Sequence, residues 1–375
     1  MRIGLNLLHA MPEIGGGWNY IARLVESLGE YDRENSYVAF VTAKSVGMVP
    51  LQPNFETVRV GINPISRWQR VLYENTRLQI DARKQRLDLM HWFANTIAIS
   101  NSVPGVVTIY DLLVFENPHS FSRLQRIYLQ TMYPQTVRRA ALLLPMSQTT
   151  ARALCNILKA CPECIQVIPA IVSAQFQPVA SAKVIELRRE YNLPDQFWLY
   201  VAYFYPHKNH LRLLQAYHDL KLNGVAPWPL ILRGDDPGTG EEVKRLVTEL
   251  GLENNVRFLP RLNEAKLPVL YSAATALVFP SLYEGGGIPV IEAMACGCPV
   301  IAANIPPVRE FAGDAASYFD PNKVASIAEA MASFQGSNHQ DRLQMRQKGL
   351  ARSIEHRPQL VVQKLLNAYT RAMSK

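Results

Sequence analysis

Short apolar, β-rich runs alternate with longer helical patterns along almost the whole chain, and this alternation restricts the fold more than any other feature, because it is the signature of βαβ units with parallel sheets. The runs form two series. The first lies at 3–8, 37–42, 89–93, 106–110, 142–146 and 166–169, the second at 199–203, 230–233, 256–259, 276–279, 300–302 and 317–319. Between them, 170–184 shows no clear period and contains Pro178, which sets the expected boundary: a first domain over 1–178 and a second over 179–357. Pro358 interrupts the helical pattern before a final amphipathic run, so that 358–375 can pack on either domain, the first included. The expected fold class is α/β, with two Rossmann-like, doubly wound parallel-sheet domains. Such sheets bind ligands beyond the carboxyl ends of their strands, and if those ends face one another the site is the cleft.

At 375 residues the chain has room for two cores, and 48% hydrophobic with 19% charged residues describes a folded, soluble protein. The opening residues lack a secretory pattern and no apolar run approaches the ~18 residues of a membrane span, so the expected location is cytoplasmic. The five cysteines are an odd number, and Cys161-Pro-Glu-Cys164 has no second C-x-x-C or His pair to complete a zinc site.

A net charge of +8 calls for an acidic partner: phosphate, nucleic acid or an anionic membrane surface. Much of it sits in two stretches with apolar interleaving: Arg67, Arg70, Arg77, Arg83, Lys84 and Arg86 among Trp68, Val71, Leu72 and Leu78, and Arg123, Arg126, Arg138 and Arg139 among Leu124, Ile127, Tyr128 and Met132. Both read as basic amphipathic helices, either solvated on their polar faces or resting peripherally on the inner face of a membrane. Nucleic-acid binding is not expected, since no nucleic-acid motif is present and the basic surplus is split.

The stretch richest in chemistry is Pro280-Ser-Leu-Tyr-Glu-Gly-Gly-Gly-Ile-Pro-Val-Ile-Glu-Ala-Met-Ala-Cys-Gly-Cys-Pro-Val300. It follows a strand and opens a helix with Pro289 expected at the first position. Gly285, Gly286 and Gly287 let backbone approach a ligand closely, and the helix N-terminus adds partial positive charge, which together make a phosphate cradle. Glu284 precedes the cradle and Glu292 lies one turn into the helix, so one carboxylate can serve the sugar side of a diphosphate and the other a ribose. A tight turn with two surface acids is the alternative, and the combination of features disfavours it.

This segment resembles the E-x7-E signature of the family 4 glycosyltransferases, usually E-G-F-G-x-P-x-x-E-A-M-A-C-G-x-P-V. The resemblance extends to Tyr200-Val-Ala-Tyr-Phe-Tyr-Pro-His-Lys-Asn209, Val256-Arg-Phe-Leu-Pro-Arg-Leu262 and 270–281, and more loosely to Gly15-Gly16-Gly17, Val107-Thr-Ile-Tyr-Asp-Leu112 and Ser147. It implies a GT-B fold, with a donor-binding second domain and an acceptor-binding first domain. By this likeness Lys208 neutralises the donor diphosphate, where a cation at a helix start is otherwise misplaced. Glu292 holds ribose hydroxyls and Glu284 contacts the transferred sugar. The N–H groups of Gly286, Gly287 and Ile288 hold phosphate and sugar oxygens, and Arg261 and Leu262 lie against the base. In the first domain Gly16 and Gly17 come near the phosphates, Trp18 and Tyr110 near the acceptor, and Asp111 either orients a hydroxyl or caps a helix. The chain departs from the pattern at Tyr110 (often His), Gly286 (usually Phe) and Tyr203 (often Arg), with Arg233 the candidate replacement for that arginine.

No D-x-D triad occurs, so no metal or other cofactor is expected, and the leaving group falls to Lys208, backbone N–H groups and the helix terminus. The family likeness implies retention at the anomeric carbon. The expected substrates are a UDP-sugar such as UDP-glucose, with GDP-mannose as the alternative donor, and a saccharide or lipid-linked acceptor of surface polysaccharide synthesis. Two other readings of the acids remain: a hydrolase pair, which leaves the phosphate cradle without a purpose, and a nucleotide-sugar-binding protein without catalysis.

Overall fold

The computed structural model describes residues 1–11, 16–236, 238–260 and 262–374. Two compact units divide it: 1–171 with 358–375, and 172–357. The sequence put the break at 178. It falls earlier: 170–172 is buried chain outside any helix or strand, and the Val172 N–H donates to the His356 carbonyl at 3.0 Å, tying the two ends of the second unit together.

The first unit is built on six parallel strands, β1 Arg2–Asn6, β2 Ser36–Val41, β3 Phe55–Arg59, β4 Leu89–Trp92, β5 Gly105–Ile109 and β6 Leu142–Pro145, in the order β3-β2-β1-β4-β5-β6. Its central strands are covered on both faces and read as continuous apolar runs, as parallel sheets require. β3 is the exception. Its sequence FETVR is mostly exposed at the sheet edge, so no apolar run announced it. Conversely, 166–169 forms no regular strand, although it runs beside β6 with one bridge between Leu143 and Ile165 and with the N–H groups of Gln166 and Ile168 donating to the Leu143 and Pro145 carbonyls.

Side-chain caps start the flanking helices where the sequence offers serine: Ser66 before Arg67–Asn75, Ser122 with Gln125 as a capping box before Arg123–Arg139, and Ser147 before Gln148–Leu158. The final helix, Pro358–Met373, is held to this sheet by a buried chain of contacts. His91 on β4 bonds the Tyr369 hydroxyl through Nδ1 at 2.7 Å and Thr108 Oγ1 through Nε2 at 2.8 Å. Burial holds the His91 imidazole far down, to about 3, so it stays neutral.

The second unit repeats the design with β7 Trp198–Val201, β8 Leu230–Arg233, β9 Val256–Leu259, β10 Ala276–Phe279, β11 Val300–Ala303 and β12 Ala316–Phe319, in the order β12-β11-β10-β7-β8-β9. Each of these strands was anticipated to within a residue or two, because each is a compact run bounded by turn residues. Both sheets are wound outward from two central neighbours, β1 with β4 and β7 with β10, the doubly wound arrangement of nucleotide-binding folds. No helix among the described residues is long and apolar enough to cross a membrane.

Candidate functional site

Two loops meet at the carboxyl edge of the second sheet. After β7 the chain makes a 3-10 turn, Pro206–Lys208, and passes through Asn209 in the left-handed region (φ 63°) into helix His210–Leu222. After β10 it runs from Pro280 to Gly287, left-handed at φ 50°, and enters helix Ile288–Ala295. Buried Asn209 clamps the loops. Its amide donates to the carbonyls of Pro280 at 3.0 Å and Pro321 at 2.8 Å, while Leu282 N–H donates to the His207 carbonyl at 2.8 Å and the Tyr200 hydroxyl to the Lys208 carbonyl at 2.6 Å.

The clamp brings together two residues 76 positions apart. Lys208 Nζ donates to Glu284 Oε1 at 2.6 Å, with side chains only 17% and 9% exposed. The cation that looked misplaced at a helix start is therefore paired, and the pair sits in a low-dielectric setting where removing either partner strands the other. Burial first, and Lys208 second, push the neighbouring imidazoles of His207 and His210 down to about 4 and about 3. They stay neutral beside the cation.

Gly287 caps the helix with no side chain, and Ile288 is its first residue, so Pro289 stands second rather than first. The difference is small physically, since the second N–H of a helix also lacks an internal partner. The first N–H groups and the positive end of the dipole are thus directed out of the bend. One turn on, Glu292 is buried, and Tyr271 Oη donates to its Oε2 at 2.9 Å. Burial, and next the Glu292 charge, hold the Tyr271 phenol well above its ordinary range, so it remains a donor, while the charge of Arg233 acts on it in the opposite sense. Arg233 ends β8, and its buried Nε has no hydrogen-bond partner among the described residues. The next residue must be glycine, because a Cβ on Gly234 would lie 1.8 Å from the Ala202 carbonyl oxygen where β7 and β8 run on together.

Leu262 is 4% exposed, so its side chain belongs to the interior and leaves only backbone for a base. Arg261 and Gly15 lie outside the described residues. Tyr271 and Asn209 were missed from sequence: each is an ordinary residue of a helix or turn whose partner is distant in the chain.

In the first unit, Gly16 and Gly17 open helix Gly16–Tyr31, with half-buried Trp18 in its first turn. The loop after β5 is set by Asn95, left-handed at φ 61°, whose Oδ1 accepts from Tyr110 N–H at 2.7 Å. Asp111 Oδ1 accepts from Leu113 N–H at 3.0 Å, two residues on, in a turn just before helix Leu113–Glu116, whose N-cap is Leu112. The Tyr110 ring meets Tyr20 edge-on at 5.7 Å, and its hydroxyl is buried without a hydrogen-bond partner among the described residues. That hydroxyl is turned inward, which leaves the ring and backbone of Tyr110 as the parts open to a ligand. Among the described residues no group of three His, Cys, Asp or Glu side chains converges as a metal site.

Comparison with known proteins bears on the fold and the family. The family described as Glycosyl transferases group 1 matches residues 184–352. O-antigen chain mannosyltransferase B of Escherichia coli is 30% identical over 71% of this chain and 70% of its own length, and O-antigen chain mannosyltransferase RfbU of Salmonella typhimurium is 29% identical over 60% and 59%. Two solved structures share the architecture over nearly their whole length: a sucrose-phosphate synthase from Thermosynechococcus elongatus (TM-score 0.81, 22% identity, 100% of this chain and 99% of that one) and Anabaena HepE in complex with UDP and glucose (0.79, 18%, 99% and 99%). With a GT-B pair of sheets and a relative this similar over more than two thirds of both chains, the protein belongs to the group 1 glycosyl transferases.

Proposed function

We propose that this glycosyltransferase is a retaining mannosyltransferase that uses GDP-mannose and elongates a saccharide or lipid-linked saccharide of a surface polysaccharide. The mannosyltransferase names of its similar O-antigen relatives favour this donor over the UDP-glucose expected from sequence. The observation that carries the chemistry is the desolvated Lys208–Glu284 pair beside the N-terminus of Ile288–Ala295. In this reading the N–H groups of Gly286, Gly287 and Ile288 hold the diphosphate, Lys208 meets its developing charge, Glu284 steadies the oxocarbenium-like sugar and Glu292 holds the ribose. Arg233 supplies the second cation, and the backbone of Leu262 flanks the base. Trp18, Tyr110 and Asp111 serve the acceptor, Tyr110 by its ring and Asp111 through the turn it closes onto Leu113.

The bond from the anomeric carbon to the phosphate oxygen breaks and its electrons stay on the phosphate. The acceptor oxygen bonds to that carbon on the same face, and its proton passes to the leaving phosphate oxygen. No metal is assigned a role. The intact ion pair argues against a decayed, merely binding site, since a buried cation and carboxylate are costly to keep without use.

Peripheral contact with an anionic membrane is part of the proposal. Trp68, Leu72, Leu124 and Ile127 are exposed at 79%, 67%, 79% and 52%, beside exposed Arg67 and Arg123. The test of the donor is a melting-temperature panel with GDP, UDP, GDP-mannose and UDP-glucose, followed by transfer with the donor that binds. The expected result is the largest rise with GDP and GDP-mannose. A rise with uridine nucleotides alone refutes the mannosyl reading, and no rise with any refutes the donor site.

A further inference from the structure

The carboxyl edge of the first sheet holds a polar cluster that the reaction as described leaves unused. Asn6 ends β1 and His9 follows it. Helix Arg67–Asn75 contributes Arg70 and Glu74. Asn6 Nδ2 donates to Glu74 Oε1 at 2.9 Å, and Arg70 Nε lies 3.7 Å from the same oxygen. Asn6, His9 and Glu74 are 1%, 7% and 7% exposed. Arg70 is close enough for its charge to oppose protonation of His9, and the Phe93 backbone lies near that ring without closing a hydrogen bond.

Two features mark the cluster as a binding site. Both ring nitrogens of His9 and Nε of Arg70 are buried with no hydrogen-bond partner among the described residues. Each such atom has given up its hydration without recompense, and native proteins rarely gather several in one place without a partner from protein, water or ligand to complete them. The place is the second feature. His9 follows β1 and Phe93 follows β4, the two strands at which the order β3-β2-β1-β4-β5-β6 reverses, and doubly wound sheets bind their ligands at that switch point.

The chemistry of the cluster selects the ligand. A phosphate approaching Arg70 meets the Glu74 carboxylate, and a cation approaching Glu74 meets the guanidinium. A hydroxyl group both donates and accepts, so it satisfies Arg70, Glu74 and a neutral imidazole at once. We propose that Asn6, His9, Arg70 and Glu74 form a subsite that reads the hydroxyls of a neutral sugar ring of the acceptor, and not its phosphate. This rests on the reading above that the acceptor is a saccharide.

The experiment uses the full chain, with methyl α-mannopyranoside and methyl α-glucopyranoside as probes by proton saturation transfer and inorganic phosphate as a probe by phosphorus line broadening. Wild type is compared with Glu74→Gln and His9→Gln, and the nucleotide-induced rise in melting temperature is recorded for all three. The expected result is saturation of at least one glycoside by wild type, weakened about tenfold in both variants, with no broadening of phosphate and an unchanged nucleotide response. Equal saturation in wild type and variants, no saturation at all while nucleotide still raises the melting temperature, or Arg70-dependent broadening of phosphate that Arg70→Gln abolishes would each overturn the subsite. If one variant fails to fold, shown by loss of its nucleotide response, the other decides. A wild type that binds glycoside but shows no nucleotide response leaves the subsite standing and removes the donor reading instead.

Discussion

The two sheets share one winding pattern, but their carboxyl edges join polar groups differently. At the edge of the second sheet contacts distant in sequence close several of them, Lys208 on Glu284, Tyr271 on Glu292 and Asn209 across two carbonyls, while Arg233 Nε and His210 Nδ1 stay buried without partners among the described residues. At the same edge of the first, His9, Arg70 and Tyr110 keep buried polar atoms without partners among the described residues. The group 1 family match, 184–352, falls wholly within the second unit. Under the proposed function this fits a division in which the ion pair of one unit is set for the donor and the cluster of the other awaits an acceptor.

The sharpest way to break that division is to open the closed edge. Lys208→Ala or Glu284→Gln leaves its partner buried and alone and removes a group aimed at charge developed during transfer. The expected loss in kcat is about 100-fold or more, the size found for removing one preorganised electrostatic group. The measurement is initial rate at saturating donor, with the melting temperature as control. A loss below threefold in both variants would deny the pair a part in the reaction.

The legibility of the two units differs for the same reason. Eleven of the twelve strands could be read as apolar runs, and β3 could not, because it is an edge strand exposed on both faces, at Glu56 on one and at Thr57 and Arg59 on the other. Gly285, Gly286, Gly287, Glu284 and Glu292 lie in one short stretch, so spacing alone brought them together. Tyr271 and Asn209 were invisible because their roles depend on contacts made 21 and 71 positions away. The first unit's cluster is assembled from positions 6, 9, 70 and 74, with no contiguous motif to announce it. Asp111, read from sequence as either a hydroxyl-orienting acid or a helix cap, gives one oxygen to Leu113 N–H in a turn before Leu113–Glu116, a contact only the fold reveals.

Acid sharpens the comparison next. His9 and His91 in the first unit, and His207 and His210 in the second, are all held below the ordinary histidine range, chiefly by burial. A depressed folded pKa means the neutral form stabilises the fold. That contribution is complete above about pH 6.5 and is lost as pH falls toward the folded values of about 3 to 4. Between pH 6.5 and 5 each such histidine costs up to about 2 kcal/mol. The melting temperature is expected to fall steadily over that interval. If His91 is the pin that holds Pro358–Met373, protection of that helix in hydrogen exchange falls with it, and a flat profile would contradict the buried neutral imidazole.

The smallest effect is the most selective. Tyr271 touches Glu292 and, in the proposed reading, no ligand, so it acts as a positioning residue: its hydroxyl fixes one carboxylate oxygen and thereby the direction in which the other faces. Tyr271→Phe keeps the ring that packs beside Phe176 and removes one hydrogen bond, worth about 1 kcal/mol or roughly fivefold in affinity. Binding of GDP should weaken by about that factor, while binding of its 2′,3′-dideoxy analogue should not change, because that analogue has no hydroxyl for Glu292 to receive. Equal weakening of both would mean that the tyrosine supports the helix in general and not the ribose contact. Loss for the ribonucleotide alone would extend the closed, preorganised character of the second sheet one residue beyond the motif that first revealed it.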